Sequence, residues 1–359
     1  MKLKLSKMME VGPTSSTKSE RVHIDENVTI TKQIDVEQDI LCVCYTETFD
    51  FLAAGLTDGS IKLYKCISGE VSELRDMETV QQPSPTTAIK HRPLRKSYPV
   101  TRTLIATYAS GCVKCWHYPT LQCLYTIREK RQTLGLAYHA HLPKFVTTGD
   151  DAKLVLYDEE TKIQERVFQA SDSLEVMDGH KSRVFSACFN PKSAHELISA
   201  GWDNTIQFWD TRQPYALRRI SGVHMCGDGL DISKNGREIL ACSWQRENPI
   251  QLWDYRTGKL LVSLEPDSYS SMLYCGKYVS NMFLACGGCD INLFRVIDLR
   301  SHAVSFTLAM IRNLRGGTYG MDVGPVNPKH AKKTRTLSIV PQLAFCAGRR
   351  LYEIDAQPA

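Results

Sequence analysis

Ser199, Asp203 and the upstream His180 are the three residue types of a hydrolytic relay: a hydroxyl attacks, an imidazole moves its proton and a carboxylate orients the imidazole. Ser199 opens the stretch SAGWDNTIQFWDTR (199–212), the most heavily patterned part of the chain. An attacking serine needs a strained elbow and nearby oxyanion donors, and the sequence around Ser199 suggests neither. The chain also has no phosphate-cradling glycine loop with its lysine and no HExxH segment. Cys112 and Cys115, and Cys286 and Cys289, have zinc-like spacing, but neither pair has a second half nearby in sequence, and a tetrahedral site needs four ligands. Neither an enzyme nor a metal or cofactor site is expected.

The elements that must hold these residues are repeated. The chain of 359 residues is 43% hydrophobic and 23% charged, ordinary for a water-exposed globular protein and too long for one compact core. No apolar run is long enough for a membrane helix, so no membrane partner is expected. The 13 cysteines are scattered singly, which points to reduced thiols and a cytosolic or nuclear location. Residues 51–65 (FLAAGLTDGSIKLYK), 104–117 (LIATYASGCVKCWH), 145–158 (FVTTGDDAKLVLYD) and 197–210 (LISAGWDNTIQFWD) share one layout. So do 239–254 (ILACSWQRENPIQLWD) and 283–296 (FLACGGCDINLFRV). Each is an apolar run, a small-residue step, a polar turn and an alternating run ending in an aromatic. Period-two alternation around Gly/Asp/Asn turns predicts β-hairpins. The aromatics at Tyr64, Trp116, Tyr157, Trp209, Trp253 and Phe294 recur every 41 to 52 residues, a propeller period with loop insertions. A weaker seventh unit spans Thr318–Val323 and Leu343–Ile354.

Gly179-His180 and Trp209-Asp210 carry a resemblance to the WD-repeat family, and Trp253-Asp254 and Tyr157-Asp158 keep close versions. The resemblance implies an all-β fold, a seven-bladed propeller with four-stranded blades, in which Val28–Ile34 supplies the outer strand of the last blade and closes the ring. Six or eight blades are the alternatives. The expected organisation is a tail over 1–27, one propeller domain over 28–356 and a short tail over 357–359. The resemblance also turns the apparent relay into a structural tie: Trp209 donates to Ser199, Ser199 bonds His180, and His180 bonds Asp203. Other units depart from this pattern, with Ala54, Ala106 and Ala241 at the hydroxyl position, and Thr147 and Asp151 in the third unit without an evident histidine.

The functional residues are then expected on the two faces. On the top face, Trp202 and Trp244 sit in polar turns of adjacent blades, where an indole has little core to enter; with His224, Asp228 and Asp231 nearby, they form a candidate anchor for a partner segment. On the bottom face, Trp209-Asp210-Thr211-Arg212 and Trp253-Asp254-Tyr255-Arg256, with the near-match Ile297-Asp298-Leu299-Arg300, resemble the WD-x-R box of cullin-RING ligase substrate receptors. In that family Arg212 and Arg256 would dock the ligase adaptor. The simpler reading is an Asp-x-Arg ion pair closing a turn. Two basic runs, Lys90–Arg102 with Arg92, Arg95 and Lys96, and Pro328–Arg335 with Lys332 and Lys333, are further bottom-face candidates for acidic partners or RNA phosphate. They lack the aromatics of single-strand sites, so nucleic acid is not the favoured partner. The sequence thus supports a non-catalytic scaffold for proteins or peptide segments, a monomeric propeller working inside a complex.

Overall fold

Each sequence unit folds as a four-stranded antiparallel sheet, because alternating strands can bury both faces only when sheets stack on both sides. The computed structural model describes residues 21–94, 99–173, 176–300, 306–326 and 339–356 and places seven antiparallel sheets in a ring, six of four strands and one, blade six, of five. Blades one to three begin with the inner strands Ile40–Tyr45, Thr86–Lys90 and Thr133–Tyr138. Blades four to seven begin with Val184–Phe189, Leu230–Ile232, Met272–Tyr278 and Gly320–Val323. Every inner strand lies against the inner strands of both neighbours, including the last against the first, so the ring is closed.

There is no single core. Seven apolar clusters each fill the seam between two adjacent blades, among them Leu154, Phe168, Leu197 and Trp209 between blades three and four, and Ile40, Leu52, Ala344 and Leu351 between seven and one. This is how a chain of this length buries its apolar residues without one oversized interior. Close approach of neighbouring blades demands small residues: a Cβ on Gly135 of blade three would stand 2.3 Å from the Phe185 carbonyl oxygen of blade four.

Closure uses the two ends of the chain. Val28–Asp35 pairs antiparallel with Arg350–Ala356 as the outer strand of blade seven, as expected. The expected tail is anchored closer in than residue 28. His23–Ile24 pairs with Ile311 and Arg312 of blade six, and the Asn27 side chain donates to the Leu308 carbonyl at 3.1 Å. The chain therefore grips blade six before crossing to blade seven. Buried Glu353 locks the junction by accepting the Tyr45 hydroxyl of blade one at 2.9 Å and pairing with Lys32 at 2.9 Å.

In five inner strands the pairing to the second strand skips one residue near the top: Leu41, Thr87, Leu134, Phe185 and Tyr274. Such a bulge leaves its extra residue out of the ladder and re-aims its side chain. All five skipped residues line the mouth of the central channel. The sequence phase was also off in one place. Blade six does not use Phe294 where blade four uses Trp209; Ile297 faces Leu284 there, as Trp209 faces Leu197.

Deleting residues 1–35 should remove the outer strand of blade seven and bare the edge at Arg350–Ala356. We expect the truncated chain to self-associate and to unfold at lower urea than the full chain, read by size-exclusion chromatography and urea titration. A monomer with an unchanged midpoint would show that closure contributes nothing.

Candidate functional site

The Ser-His-Asp constellation is assembled, but as a buried tie across blade four. Ser199 has 0% exposure, and its Oγ accepts the Trp209 indole N–H at 2.7 Å. His180 Nε2 lies 2.6 Å from the same Oγ, and His180 Nδ1 lies 2.8 Å from Asp203 Oδ2. One proton arrangement satisfies every group: Ser199 donates to Nε2, and the Nδ1–H donates to Asp203. The Lys181 N–H and the Thr205 hydroxyl also reach Asp203. Burial pushes the Asp203 carboxyl up, but the His180 bond, the nearby imidazole and these donors outweigh it and hold the group below its ordinary range. A hydroxyl with no exposure and both directions bonded cannot meet a substrate.

Four other blades solve the same problem with different residues. In blade three, Glu129 occupies the place of His180 and accepts from Thr147 Oγ1 at 2.6 Å and Tyr157 hydroxyl at 2.7 Å. Arg131 pairs with both Glu129 and Asp151 at 2.8 and 2.9 Å. Where the second strand carries Ala54, Ala106 or Cys286 in place of Ser199, the residue paired to it across the sheet is a long cation. Lys62 bonds Glu73, Lys114 bonds Asp76 and Glu78, and Arg295, only 2% exposed, grips both Asp267 oxygens at 2.9 Å. In blade two the Trp116 indole turns to the Tyr108 hydroxyl instead, at 3.2 Å.

On the top face, Trp202 and Trp244 are half-buried and lie in one arc with His224 between them. Ring centroids run Phe185–Trp202 at 5.7 Å, Trp202–His224 at 6.2 Å, His224–Trp244 at 6.1 Å, Trp244–Tyr274 at 6.4 Å and Tyr274–Tyr319 at 5.0 Å. Offset and tilted rings at these separations attract one another. The Trp202 N–H donates to Cys226 Sγ at 2.9 Å, and His224 Nδ1 lies 2.6 Å from Asn204 Oδ1. Burial lowers the His224 pKa, with Asp203 opposing. The arc therefore runs from blade four to blade seven, half of the channel rim. Phe185, Tyr274 and Tyr319 escaped sequence reading, although each sits at or just before the start of an inner strand, as Leu41 and Leu134 do.

Asp228 is not on the rim, where the sequence placed it, but inside the channel. Its Oδ2 meets Lys90 Nζ at 2.7 Å, an ion pair joining blade two to blade five, and Ser186 donates to Oδ1 at 3.2 Å. Burial raises the Asp228 carboxyl, but Lys90 and Lys277 dominate and hold it low. Lys277 pairs with Asp322 at 3.1 Å, and Asp322 also accepts the Tyr45 N–H. Asp231 accepts the N–H groups of Tyr278 and Ile232 at 2.8 and 2.9 Å, so it too belongs to the channel wall.

The bottom-face arginines separate. Arg212 has a 71% exposed side chain yet clamps Asp210 through Nε and Nη2 at 2.9 and 2.6 Å, and Arg300 holds Asp298 likewise. The turn-closing ion pair therefore accounts for both. Arg256 differs: Thr257 occupies Asp254 through its N–H and hydroxyl, and Arg256 is exposed. Arg92 is not an exposed cation. Only 14% of its side chain is accessible, and its Nε bonds buried Glu159 at 2.8 Å. Lys90 serves the channel. Arg95, Lys96, Lys332 and Lys333 lie outside the described residues.

Ser199→Ala should leave the Trp209 and His180 nitrogens without their shared partner and cost about 2–4 kcal/mol in urea unfolding, the sum of two buried groups each losing about 1–2. An unchanged midpoint would mean the tie carries no stability. Asp203→Asn gives the pH signature. Because the folded carboxyl is held low, its contribution is complete above the ordinary carboxylate range and fades as pH falls through the folded value. The stability gap between wild type and Asp203→Asn should be flat from about pH 5.5 to 7.5 and close below about pH 4. A gap that widens on acidification would contradict the assignment.

The WD40 family (WD domain, G-beta repeat) matches residues 30–65 and 171–210. The chain is 23% identical over 212 residues to a striatin homolog of Dictyostelium discoideum, across 56% of this chain and 25% of that protein. It is 30% identical over 147 residues to the ribosome biogenesis protein ytm1 of Pyrenophora tritici-repentis, across 37% of this chain and 30% of that protein. The chain thus spans about a quarter to a third of these curated relatives. A chain in the crystal structure of the mitotic checkpoint complex superposes with a TM-score of 0.71 over 96% of both chains at 14% identity, a likeness of fold. Seven closed blades, and the Gly-His to Trp-Asp unit with its tie formed, make the chain a seven-bladed β-propeller that carries WD40 repeats at residues 30–65 and 171–210.

Proposed function

We propose that the chain is a non-catalytic scaffold that grips a protein segment across the top of the propeller. The aromatic arc from Phe185 through Trp202, His224, Trp244 and Tyr274 to Tyr319 carries this reading. Half-buried aromatics are rigid and amphipathic, so they bind a partner at low entropic cost, and Trp and Tyr are enriched at binding hot spots. Propellers of this family bind proteins, and the solved propeller of like fold comes from a multi-protein assembly.

Docking to a cullin-RING adaptor through the bottom face is a narrower alternative. Its support has shrunk to Arg256, because Arg212 is held by Asp210 in the same turn. The basic loops give RNA binding less support still, since Lys90 and Arg92 are engaged internally.

Two double variants separate the faces. Trp202→Ala/Trp244→Ala should weaken capture of the top-face partner set about thirtyfold or more, the loss expected at a hot spot worth about 2 kcal/mol, with near-wild-type circular dichroism. Unchanged capture by a folded variant would remove the arc as the binding face. Arg212→Ala/Arg256→Ala should leave that set intact; selective loss of cullin-ligase subunits from this variant would move the function to the bottom face.

A further inference from the structure

Beneath the arc, the channel holds a cavity of about 160 Å³. Its rim is apolar, with Leu41, Leu134, Phe185, Tyr274 and Tyr319, and its wall is polar, with the charged Lys90 and Asp228 and the Ser186 hydroxyl. This volume is well under the roughly 300 Å³ at which small-molecule pockets begin, and suits one long side chain. The charges around it do not balance. Asp228 and Asp322 each have an ammonium, Lys90 at 2.7 Å and Lys277 at 3.1 Å. Asp231 has backbone N–H donors but, among the described residues, no cation within ion-pair distance. Around the channel three carboxylates thus stand against two ammoniums, and of these five groups Asp228 and Lys90 line the cavity. Burial raises the Asp231 carboxyl above its ordinary value despite the Tyr278 N–H and the more distant Lys277. Asp228 is the accessible member, with 40% of its side chain exposed.

We propose that this cavity takes one lysine or arginine side chain from a partner segment lying on the top face, its stem across Phe185, Tyr274 and Tyr319 and its cationic head beside Asp228. The assignment rests on the top-face reading and adds the chemistry of the anchor residue. An anion would add to the carboxylate excess. An apolar plug would strip water from Asp228 and leave the excess charge without a counter-ion, which is costly in a closed channel. A guanidinium or ammonium supplies the missing charge, while its methylene stem suits the aromatic rim.

The test uses small probes on the full chain. N-acetyl-L-arginine methylamide and N-acetyl-L-lysine methylamide are titrated against isotope-labelled protein, with the citrulline and norleucine analogues as neutral matches. Saturable amide shifts at Ser186, Gly227 and Asp228 are expected with at least one cationic probe. The neutral analogues should bind about tenfold more weakly or worse, as should the cationic probe to Asp228→Asn, the loss that follows removal of one charge-assisted hydrogen bond. Thermal melts establish that Asp228→Asn is folded. Leu134→Arg, which adds a cation at the rim and leaves Asp228 in place, should weaken binding comparably. Equal shifts with neutral probes, or no saturable shift at these amides with either cation, overturns the proposal. If the probes fail while Trp202→Ala/Trp244→Ala still loses its partners, the top-face reading stands and the cation site alone falls.

Discussion

The antiparallel pairing of Val28–Asp35 with Arg350–Ala356 is the interaction on which the rest of the molecule depends. A ring of sheets has no interior apart from its seams, and each seam exists only if both blades stay in place. Opening one junction would free blade seven from blade one and expose the seam between them to water. The lock at Glu353 accordingly joins three pieces of chain, the N-terminal strand through Lys32, blade one through Tyr45 and blade seven through its own backbone. With the circle fixed, the inner strands must converge on an axis, and their bulged residues have nowhere to turn except the channel mouth.

Within that circle, blades one, two, three, four and six tie their own strands in one of two ways. A polar group at the second strand calls for a polar relay, as in Ser199–His180–Asp203 and Thr147–Glu129. A small apolar residue there leaves a slot that a long cation fills, bringing its carboxylate with it, as Lys114 and Arg295 do. Both meet the same requirement, that polar groups inside a stacked sheet find partners. The chemistry of one position therefore varies while the geometry of the blade is conserved around the ring.

This also explains what was legible in the sequence. The blade-four tie was readable because all its members lie within one repeat at familiar offsets. The blade-three tie was hidden: Glu129 and Arg131 stand in a connector and replace an imidazole by different chemistry, so no residue type announces them. The Lys114 and Arg295 ties depend on carboxylates from insertions of irregular length. Trp202 and Trp244 stood out because large indoles in polar turns are conspicuous. Phe185 and Tyr274 looked like ordinary strand residues, since a bulge is a property of cross-strand register and leaves no mark in composition, and Tyr319 stands just before its inner strand with no sequence signal of its own. Asp228 and Arg92 were placed outside because charge in a loop suggests solvent, yet each has a partner more than sixty residues away. The hold of His23–Ile24 on blade six was invisible for the same reason.

The Arg350–Asp35 contact joins residues separated by 315 positions. During synthesis at about 5–20 residues per second, the first strand would leave the ribosome roughly 15–60 seconds before its partner. For that interval Val28–Asp35 has an open hydrogen-bonding edge and six forming blades to wait for. Its alternation of exposed and half-buried side chains, with Lys32 among them, keeps it soluble as a lone strand. The order of translation thus turns a closing strand into a segment that must stay unclaimed until the last blade arrives.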